Sequence, residues 1–148
     1  PDYSELFAEE KEMIAKLKKA FLMVAGGAVQ KYGPDLDGHQ QLLMAAADIL
    51  IEIYMAESTI LRTEKLAKKE GESKVPEQIA MAKLYLYKAV DIVTQKGKES
   101  IISFAEGDEQ RMMLMGLRRF TKYTNMPNIV GLRETITTKL VAENAYCF

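Results

Sequence analysis

One cysteine and one histidine occur in 148 residues, and these two scarcities exclude most site chemistry at the outset. Cys147 has no partner, so no intramolecular disulfide and no cysteine-rich metal site can form, which suits a reducing compartment. It stands next to last, so the final four residues are not a prenylation box. His39 is preceded three residues earlier by Leu36, so the Glu-x-x-His pairs of two-metal helix bundles are absent. No GxGxxG, GxxxxGK[ST] or GxSxG pattern and no Cys-His pairing occurs. Long apolar runs are missing too. Residues 20–29 are too few to span a bilayer, Asp48 and Glu52 interrupt residues 42–56, and no signal peptide is visible. Pro1 stands where an initiator methionine would, so the expectation is one domain, residues 1–148, of a longer protein.

Charge of one sign is also lacking. Twenty basic and 21 acidic side chains give a net charge of −1, which argues against a nucleic-acid partner. Between Arg111 and Lys139, however, Arg111, Arg118, Arg119, Lys122, Arg133 and Lys139 face a single acid, Glu134. Such a segment is ordinarily a solvated face. It also suits an acidic partner or anionic headgroups, with Arg111, Arg118, Arg119 and Lys122 as the candidate docking residues.

What is present is helical periodicity. An apolar fraction of 48% and a length of 148 residues suffice for one sizeable core. Turn signals at residues 33–35, 71–76, 107–108 and 125–128 divide the chain into five helices. The first, residues 4–32, carries Phe7, Ile14, Leu17, Phe21, Val24 and Ala28 on one face, with Asp2 or Ser4 as cap. The second follows Asp37, a plausible cap, and runs to residue 70 along Leu42, Ala46, Ile49, Ile53, Ala56, Ile60, Thr63 and Ala67. Met44, Ile51, Met55 and Ser58 widen its apolar surface, so it should touch two or more neighbours. The third, residues 76–104, opens on Pro76 and follows Ile79, Ala82, Leu86, Val90, Val93, Gly97, Ile101 and Phe104. Residues 108–123 place Met113, Leu117 and Phe120 inward, and residues 129–145 do so with Ile129, Leu132, Ile136 and Leu140. Short connections favour an all-α, up-and-down antiparallel bundle of three long and two shorter helices.

Several residues carry two readings. Gly26 and Gly27 sit inside the first helix, where each costs about 1 kcal/mol relative to alanine. A close helix crossing explains the pair, and no phosphate loop does. Nine methionines are many. Core filling is their commoner use, and a soft partner-binding or lipid-facing surface is the functional one. Asp48 with Glu52, and Glu57 with Glu64, read as solvated or paired with Arg62, Lys65 and neighbours rather than as metal ligands. His39 reads as exposed, and one of Tyr85 and Tyr87 belongs at an interface or surface. Nothing forms a catalytic constellation.

The segments LKKAFLMVAGGAVQKYG, QLLMAAADILIEIYMAESTILRTEKL and NIVGLRETITTKLVAENAYCF, in that order across nearly the whole chain, resemble the C-terminal extension of very-long-chain-type acyl-CoA dehydrogenases. The resemblance implies a full-length flavoprotein that introduces an α,β double bond into fatty acyl-CoA. FAD and the catalytic glutamate then belong to preceding domains, and no catalytic or cofactor-binding residue transfers onto this chain. It further implies homo-oligomers, packing on the upstream domains, and docking to a membrane or a protein. The location implied is the bacterial cytoplasm, or the mitochondrial inner membrane in a eukaryote. The alternative is a free-standing helical adaptor or lipid-surface protein without an enzyme.

Overall fold

The computed structural model describes residues 2–148, and every regular element among them is helical. Three long helices, α1 (Ala8–Tyr32), α2 (Gln40–Glu70) and α3 (Pro76–Phe104), are followed by α4 (Gly107–Phe120) and α5 (Ile129–Glu143). The 31 residues of α2 give it a length of about 46 Å at 1.5 Å per residue.

The apolar faces read from the sequence meet in one core. Leu17, Val24, Ile49, Ile60, Leu86, Val93 and Ile101 are among its buried members. Along α2 the expected seam is buried throughout, apart from Ala46, which is half-buried. α3 is the axis of the molecule and packs against all four other helices, while α1 also packs on α2 and α4.

Cross-helix pairs set the directions. Lys11 reaches Glu64 at 2.5 Å and Lys18 reaches Glu57 at 2.8 Å, so α1 and α2 are antiparallel. Leu117 lies on Gly97, and the rings of Tyr87 and Tyr123 are 6.3 Å apart, so the limb containing α4 descends α3. Lys139 approaches Glu77 at 3.9 Å, and Lys83 lines a cleft with Asn128 and Leu132. α5 therefore descends α3 as well, further down. Up-and-down order holds for α1 to α4, whereas α5 keeps the direction of α4. Together they form a fourth limb in two pieces, broken where Pro127 disfavours helix in the residue before it.

That break is tied down locally. The Glu9 carboxylate accepts from the Asn125 backbone N–H at 2.7 Å and from its side-chain amide at 3.1 Å. Asn128 caps α5 by accepting from Gly131 N–H at 3.0 Å. α5 has no fully buried residue; Ile129, Leu132 and Ile136 are half-buried, and Leu140, expected inward, is exposed.

Two helix starts differ from expectation. α1 begins at Ala8, and its cap residue is Phe7, buried and left-handed at φ 63°. Asp2 accepts from Ser4 N–H at 3.0 Å instead of capping the helix. Residues 33–38 form a 3₁₀ turn that contains Asp37, so α2 begins only at Gln40 after an uncapped His39. Gly33, at φ 50°, closes α1 with its N–H on the Val29 carbonyl.

Candidate functional site: two unlike outer faces

Gly26 and Gly27, adjacent in α1, face different surroundings. A Cβ built on Gly27 would lie 2.8 Å from the Phe104 ring of α3 and 2.7 Å from the terminal methyl of Met113 of α4. The neighbours of Gly27 are therefore side chains. At Gly26 a Cβ would meet nothing within 4 Å. The crossing expected at Gly26 is thus absent among the described residues, because that position faces out of the bundle. Two glycines not singled out for close approach share the role of Gly27. A Cβ on Gly97 would lie 2.9 Å from Leu117, and one on Gly116 would lie 2.9 Å from the sulfur of Met23. These three glycines let α4 sink between α1 and α3. Single glycines in helical stretches were the available signal.

On the outside of α4 lies the basic stripe. Arg111, Arg118, Arg119 and Lys122 are all exposed, with Met112 and Met115 beside them. Residues 111, 115 and 118 follow steps of four and three, so they share one face of α4. Arg111 is held by Asp108 of the preceding turn at 3.1 Å. Arg118, Arg119 and Lys122 form no ion pair among the described residues. Lys122 lies just beyond α4, and its carbonyl accepts from the ammonium of Lys16.

The second outer face belongs to α2. Met44, Ile51, Met55 and Ser58 are exposed, together with Leu50, Tyr54 and Leu61. α2 does touch two neighbours, α1 and α3, but through its buried seam; the widening residues turn away from both. Of the nine methionines only Met13 is fully buried, and Met44, Met55, Met112, Met115 and Met126 are exposed, so core filling is not their main use.

The titratable groups are structural. Glu57 and Glu64 pair with Lys18 and Lys11 across the α1–α2 seam rather than with Arg62 and Lys65. The hydrogen bond from Lys11 is the main cause holding the Glu64 carboxyl below its ordinary range. Tyr85 donates to Glu52 at 3.1 Å, and burial first, then that bond, raises its phenol. Burial, reinforced by nearby acids, raises the Tyr123 phenol strongly, and its hydroxyl has no hydrogen-bond partner among the described residues. His39 is half-buried, its ring stacked on Tyr32 with centroids 3.6 Å apart, where exposure was expected. The cleft beside this pair, about 490 Å³ and lined by Gln40, Gln41 and Ser103, offers no base hydrogen-bonded to a nucleophile. Among the described residues no cluster of three metal-ligating side chains occurs, and no helix is long and apolar enough to cross a membrane.

The chain is thus an all-α helical bundle whose polar groups largely cap, pair and stack, with two exposed outer faces of different chemistry. Its family is shown by direct comparison. Residues 16–119 match the family model "Acyl-CoA dehydrogenase, C-terminal domain", and the chain belongs to that family. It is 36% identical over 140 residues to a probable acyl-CoA dehydrogenase of Bacillus subtilis (strain 168), covering 95% of this chain and 24% of that protein. It also superposes with a TM-score of 0.92, at 35% identity, on an acyl-CoA dehydrogenase from Bacillus anthracis crystallised with FAD, covering 98% of this chain and 25% of that one. The chain thus spans about a quarter of the length of either relative.

Proposed function

We propose that these 148 residues are the non-catalytic C-terminal domain of a flavin-dependent acyl-CoA dehydrogenase acting on fatty acyl-CoA. One observation carries the reading: nearly the whole chain superposes on a quarter of a dehydrogenase crystallised with FAD. The residues here do not fit the flavin themselves. No strand followed by a glycine-rich phosphate loop exists among the described residues, and the cleft of about 490 Å³ beside Tyr32 and His39 presents Gln40, Gln41 and Ser103 rather than a phosphate-binding group. FAD and the acyl-CoA site belong to the upstream domains of the same chain. The bundle serves packing on those domains, the architecture of a homo-oligomer, and docking.

The test is direct. The full-length protein, purified from its natural coding sequence, should carry flavin absorbance that bleaches on adding fatty acyl-CoA. Residues 1–148 alone should show neither flavin binding nor turnover. A coding sequence that starts close to Pro1, or flavin bound by the fragment, sinks the reading.

The stripe of Arg111, Arg118, Arg119 and Lys122 beside exposed methionines supports a second role, peripheral attachment to an acidic partner or an anionic bilayer. Flotation of the full-length protein with phosphatidylserine vesicles, and its loss in Arg118→Glu/Arg119→Glu, tests this; a wild type that does not float ends it. With bacterial relatives on both counts, the cytoplasm, at or away from the membrane face, is the compartment proposed.

A further inference from the structure

The outer face of α2 is apolar along most of its length, and nothing in the bundle covers it. Met44, Ala47, Leu50, Ile51, Tyr54, Met55, Ser58 and Leu61 point outward along some 26 Å of helix, without a charge among them. The acids of the same stretch are drawn to its edges. Glu57 pairs with Lys18 of α1, while Glu52 meets Tyr85 and Asp48 approaches Lys96, both of α3. Met44, Ala47, Ile51, Tyr54, Ser58 and Leu61 repeat at steps of three and four, the spacing of a helix-packing seam. α2 therefore carries two such seams, and the bundle uses only one.

The patch continues onto α1. Leu22 and Val29 lie four and eleven residues after Lys18, on the strip that the Lys18–Glu57 pair places against α2. The six large apolar side chains of α2 and these two of α1 are all between 43% and 68% exposed. Together they offer several hundred Å², approaching the roughly 800 Å² that each partner contributes to a stable interface. Gly26 lies between Leu22 and Val29 with open space at its missing Cβ. A glycine unused by its own bundle leaves a shallow place for another backbone.

We infer that this α1–α2 face is the seat of the dehydrogenase body of the same chain, and that a helix of that body lies along the seam. The inference rests on the proposed function and deepens it. Three observations select the occupant. Each relative is about four times the length of this chain, so the larger part of such a protein lies outside these residues. A covalently attached partner is present at high effective concentration without a second molecule. The rim of the strip carries both signs, Asp48 and Glu57 with Lys18 and Arg62, which suits a protein surface; anionic lipid asks for a one-signed rim of the kind found on α4.

The experiment uses the full-length protein, with its accessible native cysteines replaced. Tyr54→Cys is compared with Met115→Cys on the exposed side of α4 in maleimide labelling, over a dilution series followed by light scattering. Shielding by the body makes the Tyr54→Cys protein react at least about tenfold more slowly than the Met115→Cys protein at every concentration. Equal rates overturn the inference. Protection that disappears as an oligomer dissociates overturns it in favour of a second copy of this chain. Flavin bleaching by acyl-CoA in the same preparation reads the proposed function separately. Bleaching with an unprotected position 54 leaves the function standing and removes the docking face; protection without flavin does the reverse.

Discussion

Substituting the two adjacent glycines of α1 one at a time should move stability in opposite directions. In the 148-residue chain Gly26→Ala adds a methyl group into open space. It removes the entropic cost of glycine in a helix interior, a gain of up to about 1 kcal/mol. Gly27→Ala brings the same gain but puts its methyl 2.8 Å from two atoms of the Phe104 ring and 2.7 Å from the end of Met113. The methionine tip can swing aside. The Phe104 ring, 3% exposed and packed in the core, cannot. Overpacking costs about 1–3 kcal/mol, and against a ring that cannot move the upper part of that range, about 2–3 kcal/mol, applies, which leaves a net loss of roughly 1–2 kcal/mol. The two variants should thus differ by about 2–3 kcal/mol. At this chain length 1 kcal/mol moves Tm by about 2–4 °C, so their melts should lie roughly 5–10 °C apart, with wild type between. Far-ultraviolet circular dichroism against temperature and urea measures this. A Gly27→Ala protein as stable as wild type refutes the reasoning, since Phe104 would then have yielded.

Three further outcomes are expected. Phe7→Ala should cost about 3 kcal/mol or more in a urea titration, because a buried ring is lost while the left-handed backbone remains; a loss under 1 kcal/mol refutes its place in the core. Tyr123→Phe removes a buried hydroxyl without a partner, so it should leave Tm unchanged or raise it, and a clear fall would reveal a hydrogen bond the structure lacks. The Lys11–Glu64 pair should show a coupling of about 0.5–1 kcal/mol in a double-mutant cycle near neutral pH. The Glu64 pKa is lowered on folding, so this stabilisation is present above the ordinary carboxyl value of 4.5 and disappears as pH falls below it. A coupling that is flat from pH 7 to pH 3 refutes the assignment.

The long helices were legible because their apolar repeats run for about six turns or more, and Ile49, Ile53, Ala56 and Ile60 lie where that period puts them. Helix starts were less so. Asp37 has the chemistry of a cap, but Gly33 and Pro34 build a 3₁₀ turn that takes it up, and no pattern announces a phenylalanine at positive φ. On α2 both seams carry a helical repeat, so periodicity alone does not say which is turned inward; the partners of Glu52 and Glu57 decide it. The glycine pair was legible as an anomaly only. Its division into an inward and an outward residue depends on Phe104 and Met113, 77 and 86 positions further along the chain.

The broken fourth limb has a mechanical consequence. α4 is wedged between α1 and α3, whereas α5 rests chiefly on α3 through half-buried side chains and one long ion pair, Lys139–Glu77. The break at residues 125–128 uncouples the hydrogen-bond ladders of the two pieces, and the Glu9–Asn125 clasp holds the end of the first piece in place. Residues 129–148 are therefore expected to open locally at lower cost than the bundle beneath them.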